Sequence, residues 1–388
     1  MSTDLGMKVS PDQLRDMLPK AVLSFRGYNQ TNLGRTPELL KHQRYGEVIA
    51  DYLSRASRIC AEATGKPTDL VARVRRSEET NLESYAEAVA LIVSVEMAQL
   101  RLLKDLFNID HKNAMVSFGF SLGEIAAVVA GGILDMDDAL RVPLTLANDC
   151  ATLADDVSLA VLFSREQKLP IEEVQRFCLK ITSEGKGTIG ISTILAPNSV
   201  LVLGQGGTMD RMREEIHQAF PKQLFLRVNQ GQWPPLHTSI MWQRSIPNRA
   251  AVLMQHTKFH MEKPTPPILS LVTGKASYEK LNALDLIHKW VDHPQRLWDV
   301  IYETLVLGVE TFIHVGPEPN IVPATLRRLR DNVEGQARAS FGVRALSAVV
   351  KRPWLQAYLP QRTALLRVAS IQQVSLEDWL LEQNDFGK

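Results

Sequence analysis

The stretch that decides the fold is Met115-Val116-Ser117-Phe118-Gly119-Phe120-Ser121-Leu122-Gly123-Glu124-Ile125-Ala126-Ala127-Val128-Val129-Ala130. Met115 to Phe118 reads as the end of a buried strand, and Ile125 to Ala130 as the first turns of a buried helix. Gly-x-Ser-x-Gly lies between them. A serine on a sharp strand-to-helix turn is pushed out of the backbone, and the amide after it can stabilise a developing oxyanion. That is the layout of a serine nucleophile for acyl transfer. On these residues alone, the alternative is a glycine-rich turn without a catalytic role. The strand-turn-helix context raises the nucleophile to an equal footing with that alternative.

Working outward, Lys41 to Thr64 and Leu82 to Phe107 carry apolar residues at helical spacing, and the second tract leads into the Met115 strand. Strands alternating with long helices predict an α/β fold with a parallel sheet covered on both faces. Near residue 155 the texture changes. Ser158 to Phe163, Ser199 to Gly204 and Leu224 to Val228 read as strands; Ile171 to Thr182 and Arg211 to Phe220 read as helices. This β-α-β-α-β run fits a small ferredoxin-like subdomain.

The chain has 388 residues, 45% of them hydrophobic, enough to bury a large core as one or two domains. A net charge of +1 gives no case for nucleic acid. No window reaches about 18 uninterrupted apolar residues and no signal core opens the chain, so a soluble, cytoplasmic protein is expected, without membrane contact. Cys60, Cys150 and Cys178 read as buried thiols of a reducing compartment.

The hexapeptide Gly119-Phe120-Ser121-Leu122-Gly123-Glu124 resembles the G-H-S-x-G-E signature of the malonyl-CoA:acyl-carrier-protein transacylases and of the acyltransferase domains of polyketide and fatty acid synthases. Further segments follow in the family's order. Leu23 to Asn29 stands where the family has a strand ending in F-P-G-Q-G. Pro235 to Met241 resembles the segment of the catalytic histidine. Ser270 to Lys275 is similar to S-N-V-T-G-K, and Gly308 to Pro317 to G-V-x-x-F-I-E-V-G-P. The resemblance spans about residues 21 to 332.

The resemblance implies a hydrolase-like parallel-sheet large domain with the ferredoxin-like small subdomain inserted and the active site in the cleft between them. The boundaries expected are an N-terminal arm at 1–20, the large α/β catalytic domain at 21–154 and 234–333, the small subdomain at 155–233 and a C-terminal extension at 334–388. The extension, with Trp354 to Leu359 and an apparent helix at Leu376 to Leu381, is expected to pack back on the large domain.

It also implies roles. Ser121 would be the nucleophile and His237 its general base, the alternative being a structural histidine beside a Pro-Pro turn. The backbone carbonyl of about Trp290 would orient the imidazole, and the amides of Leu122 and Tyr28 would form the oxyanion hole. The substrate would be an acyl-CoA and the partner an acyl carrier protein, with no bound cofactor and no metal. Glu124 would be structural, opening the helix after the elbow.

Departures from the family suggest a changed specificity. Malonyl-selective members place an arginine about 25 residues after the serine to pair with the substrate carboxylate. That count lands on Leu146. Phe120 replaces the histidine before the serine, and Leu195 stands in a segment that is polar in the family. Phe120, Leu146 and Leu195 therefore suggest a pocket for an uncharged acyl group, unless another arginine such as Arg165 reaches in. His256 and His260 lack a third metal ligand. Arg327, Arg328 and Arg330 read as a solvated face or a docking surface for an acidic carrier protein. An acyl-thioester hydrolase, or a catalytically silent scaffolding homologue, remain alternatives.

Overall fold

The computed structural model describes residues 9–165, 167–220, 224–260, 262–279, 282–340 and 363–383. In chain order, α1 (Pro11–Met17) leads into β1 (Ala21–Phe25), followed by α2 (Thr36–Lys41), α3 (Gly46–Thr64), α4 (Leu70–Arg75) and α5 (Tyr85–Phe107). Then come β2 (Val116–Gly119), α6 (Leu122–Ala130) and α7 (Met136–Ala154). The middle of the chain forms β3 (Val157–Ser164), α8 (Ile171–Ser183), β4 (Ile189–Ala196), β5 (Ser199–Gln205), α9 (Thr208–Ala219) and β6 (Leu224–Gln232). It continues as α10 (Ile246–Gln255), β7 (Leu269–Ser270), β8 (Lys275–Ala276), α11 (Ala283–Trp290), α12 (Leu297–Leu307), β9 (Thr311–Val315) and α13 (Ile321–Ser340). The last described segment holds β10 (Gln372–Ser375) and α14 (Leu376–Glu382).

The first sheet has the order β10-β9-β1-β2, with every pair parallel. All residues of β1, β2 and β9 are buried, as expected of parallel strands covered by helices on both faces. Ala21, Leu23, Phe25, Ile313 and Val315 face one core, which includes α5. Val22, Phe118 and Phe312 face the other, formed with α12 and α13. The polar members of α5, Glu96 and Gln99, accept hydrogen bonds from the amides of Arg26 (2.8 Å) and Gly316 (2.8 Å). They meet main-chain donors that the ends of β1 and β9 would otherwise bury unpaired.

The second sheet is antiparallel, with order β4-β5-β3-β6. Its connectivity is β-α-β-β-α-β, one strand more than the sequence reading. Thr193 stands where the alternation of Ile189 and Ile191 calls for an apolar residue, and the β4 register slips twice, between Ile191 and Thr193 and between Ile194 and Ala196. A strand with irregular spacing carries no clean period-2 signal. One face of the sheet packs on α8 and α9 through Ala160, Leu162, Val200 and Val202. The alternate residues Leu159, Val161 and Leu201 belong to the opposite face.

The helix expected from Lys41 begins at Gly46, because α2 ends at Lys41 and a turn intervenes. Residues 363–383 add β10 to the edge of the parallel sheet and lay α14 against α2 and β9. Trp354 to Leu359 lie outside the described residues. No described helix is long and apolar enough to cross a membrane.

Glu124, in the first turn of α6, is buried and ties that helix to the β7 segment. It accepts from Ser270 Oγ (2.6 Å), Tyr278 Oη (2.9 Å) and the Leu271 amide (3.1 Å). Burial lifts its carboxyl to about 7 against these three donors. A carboxyl whose pKa is raised on folding contributes stability below its unfolded value, lost as pH rises through the folded one. The expected result is that Glu124→Gln, which cannot ionise, gains on the wild type by roughly 2–3 kcal/mol between pH 5 and 8. Urea denaturation across that range checks it; a difference independent of pH would refute it.

Candidate active site

The elbow is built by close packing of backbone. A Cβ on Gly119 would lie 1.9 Å from the carbonyl of Gly123, and one on Gly123 would lie 2.4 Å from the carbonyl oxygen of Phe25. Only glycines let β2 turn into α6 this tightly beside β1. Ser121, the residue between, is held at φ +53° and ψ −116°. This is the sparsely populated conformation that puts a side chain at the tip of the turn.

The peptide of Ser121 is gripped at both ends. Its amide donates to Gln295 Oε1 at 3.3 Å, and its carbonyl accepts from the Trp290 indole Nε1 at 2.7 Å. Both partners are fully buried. Gln295 also bridges the two sheets, since its amide donates to Ser192 O and its carbonyl accepts from the Ile194 amide, each at 2.8 Å.

His237 follows β6 and has φ +68°. Its amide donates to Val291 O at 2.9 Å and its Nδ1 to Trp290 O at 2.7 Å. Both carbonyls lie at the C-terminal end of α11, where a helix leaves acceptors free. With Nδ1 carrying the proton, Nε2 presents its lone pair to Ser121 Oγ, 2.7 Å away. Burial pushes the imidazole down to about 4, although the Trp290 carbonyl and the charge of Asp292 favour protonation. The ring is therefore neutral at neutral pH, as a base must be before it acts.

Leu122 is the first residue of α6, so its amide is among those a helix leaves unpaired. Tyr28 lies in the loop after β1, with its ring edge-on to Tyr85 (4.8 Å) and Trp233 (5.8 Å). Arg26 does not enter the cavity. It is fully buried and donates to Gly27 O (2.8 Å), Pro317 O (2.6 Å), Thr31 O (3.3 Å) and Asn32 Oδ1 (2.8 Å).

Ser121 and His237 open on a cavity of about 310 Å³ lined by Tyr28, Tyr85, Phe120, Leu159, Trp233 and Ile321, among others. No charged side chain lines it among the described residues. Asn320, on its wall, has a buried Nδ2 without a partner among the described residues.

Two of the residues read as acyl-pocket walls stand elsewhere. Leu146 is turned into the core, because α7 packs on α3 and α5 and carries it inward. Leu195 lines a separate cavity of about 460 Å³ with Trp298, Ile301 and Leu329; the slipped register of β4 gives the first cavity Thr193 instead. The two cavities share Leu201 and Ile321. Arg165 stacks over Phe225 at 4.5 Å, and Arg141 pairs with Glu62 at 2.8 Å. Arg330 is spent on Ile371 O at 2.6 Å, so the basic cluster is smaller than its sequence. His260 stands 3.4 Å from Asp135, and no group of three or more metal-ligating side chains occurs among the described residues.

The sequence reading missed Gln295, the Trp290 indole, Tyr85 and Trp233. Two of them had a visible signal: Gln295 lies in the segment Asp292 to Trp298, which resembles the family's N-P-x-x-W segment, and Trp233 stands beside Pro234-Pro235 just before His237.

No family model matches the chain. Polyketide synthases are among the curated proteins similar in sequence; GfsA from Streptomyces halstedii is 22% identical over 277 residues, 71% of this chain. The chain spans 3% of the length of that relative. Its fold is that of the malonyl transacylases. An acyl carrier protein S-malonyltransferase from Vibrio cholerae superposes with a TM-score of 0.61 at 19% identity, covering 77% of this chain and 90% of that one. A malonyl-transacylase, PlMCAT, in complex with the type II polyketide synthase acyl-carrier protein AntF, gives 0.60 at 17% identity, covering 79% and 92%. In sequence and fold together, the chain resembles the malonyl transacylase and polyketide synthase acyltransferase family.

Two outcomes follow for labelling of Ser121 by a fluorophosphonate. The rate should hold level from pH 8 down to about 5 and halve near pH 4, as His237 protonates. A midpoint near 6.5 would mean an ordinary solvated imidazole. Trp290→Phe keeps the carbonyl but loses the indole donor, and should slow labelling about tenfold with the pH midpoint unmoved.

Proposed function

We propose that the chain is an acyltransferase that carries an acyl group from acyl-CoA, through an ester on Ser121, to the phosphopantetheine thiol of an acyl carrier protein. The observation that carries this reading is the line Ser121 Oγ, His237 Nε2, His237 Nδ1, Trp290 O, with 2.7 Å at each contact. It is supported by the fold shared with malonyl transacylases, one of them in complex with its carrier protein.

In the first half-reaction Ser121 Oγ attacks the thioester carbonyl while His237 Nε2 takes its proton. The amides of Leu122 and Tyr28 hold the oxyanion. On collapse the carbon–sulfur bond breaks, and the imidazolium returns the proton to the coenzyme A thiolate. In the second half the carrier thiol gives its proton to His237 and attacks the ester, and Ser121 leaves with that proton. The steps use only side chains and amides of the chain, so no cofactor is required.

The acyl group in this reading is uncharged. A malonyl carboxylate in this cavity would have no cation beside it among the described residues, and an unpaired buried charge costs about 3–5 kcal/mol. Phe120 takes part in the acyl pocket; Tyr85 and Trp233 take the places first given to Leu146 and Leu195. In domain terms we place a hydrolase-like large domain at 21–154 and 234–333, and a ferredoxin-like subdomain at 155–233, the latter supported by its β-α-β-β-α-β order. A cytoplasmic setting fits substrates of this kind.

Intact-mass spectrometry after incubation with acetyl-, butyryl-, octanoyl- or malonyl-CoA tests the proposal. The expected result is a stable adduct with an uncharged acyl group, absent from Ser121→Ala, forming at least about a hundredfold faster than with malonyl-CoA. Equal loading by malonyl-CoA would overturn the specificity. Coenzyme A release without an adduct would show a hydrolase, and neither adduct nor release a silent homologue.

A further inference from the structure

Two irregular loops form one wall of the Ser121 cavity. The loop after β1 contributes Tyr28, Asn29 and Gln30, and the loop after β9 contributes Pro319 and Asn320. Neither belongs to a helix or strand, so their spacing depends on what joins them.

Two ionisable side chains join them. Arg26 donates to Gly27 O, Thr31 O and Asn32 Oδ1 in the first and to Pro317 O in the second. Glu377 reaches them from α14. Its Oε2 accepts from the Arg35 amide at 2.9 Å and its Oε1 from the Glu318 amide at 2.8 Å, one oxygen for each loop. The carboxylate is fully buried. Gly34 makes room for it: a Cβ there would lie 2.7 Å from Glu377 Oε2 and 2.6 Å from the Glu318 amide. Glu79 steadies the first loop further, accepting from the amides of Asn32 (2.8 Å) and Leu33 (3.3 Å).

A carboxyl group bridging two main-chain amides fixes a distance, because its two oxygens are rigidly spaced. The fixed distance here is between the loop that carries the Tyr28 amide and the loop that carries Asn320.

We propose that Glu377 is a positioning residue for Ser121 chemistry: through it, the strand and helix at the end of the described chain set the spacing of the two loops that shape the cavity. The proposal rests on the reading of Ser121 as a nucleophile. Nothing in it requires α14 to touch a substrate.

The test is fluorophosphonate labelling of Ser121 in the full chain, with the maximal rate separated from the half-saturating concentration. Glu377→Gln keeps one acceptor and Glu377→Ala keeps none. The expected fall in maximal rate is about tenfold for the first and about a hundredfold for the second, with half-saturation changed less than about threefold. Melting curves fix a temperature at which each variant is folded; if the alanine variant does not fold, the glutamine variant carries the test. Asp378→Asn removes an exposed ion pair with Arg35 from the same helix and should label at the wild-type rate. A lowered melting temperature with unchanged labelling would overturn the proposal and leave Glu377 a stability residue. An equal loss in Asp378→Asn would also overturn it. Failure of the wild type to label would overturn the nucleophile reading and the proposal together.

Discussion

Everything at this site depends on one backbone conformation, that of Ser121. A non-glycine residue at positive φ costs about 1–3 kcal/mol and persists only where its surroundings over-determine it. Here they do. Gly119 and Gly123 clear the space, Gln295 and the Trp290 indole hold the two ends of the peptide, and β2 and α6 are buried on both sides. Because the serine cannot relax, the hydroxyl meets His237 without any side chain having to search for the other.

Dryness is the second organising condition. It depresses the basicity of His237 and lifts the carboxyls of Glu124 and Glu377, so each buried ionisable group needs its own set of donors or acceptors. Each set includes main-chain groups: the Leu271 amide for Glu124, the Arg35 and Glu318 amides for Glu377, the Trp290 carbonyl for His237. The buried ionisable side chains thus work as rivets for loops and helix ends. The cavity itself is left to aromatic rings and amides.

Local patterns were legible in the sequence and long-range ones were not. The elbow could be read because its glycines, serine and flanking apolar runs lie within sixteen consecutive residues. His237 and Trp290 came from family-like segments in order, without which neither stands out among nine histidines and six tryptophans. The walls of the cavity were harder. Counting residues along a helix gave Leu146, but the face of α7 is set by α3 and α5, which no count reveals. Leu195 was displaced by a register slip in a strand that had no period of its own. Gln295, Tyr85 and Glu377 owe their places to partners 59 to 342 residues away or on other elements; Gln295 lies in a family-like segment, but nothing near any of them in sequence marks these contacts.

The bridge at Gln295 has a mechanical consequence. Its backbone is stitched to β4 of the antiparallel sheet, while its side chain holds the amide of the serine on the parallel one. His237, in turn, leaves the antiparallel sheet directly after β6. A rotation of one sheet against the other would therefore load the Gln295 bond and the Ser121–His237 bond together. The cleft and the nucleophile form a single linkage, in which the pin of the hinge is also its working part.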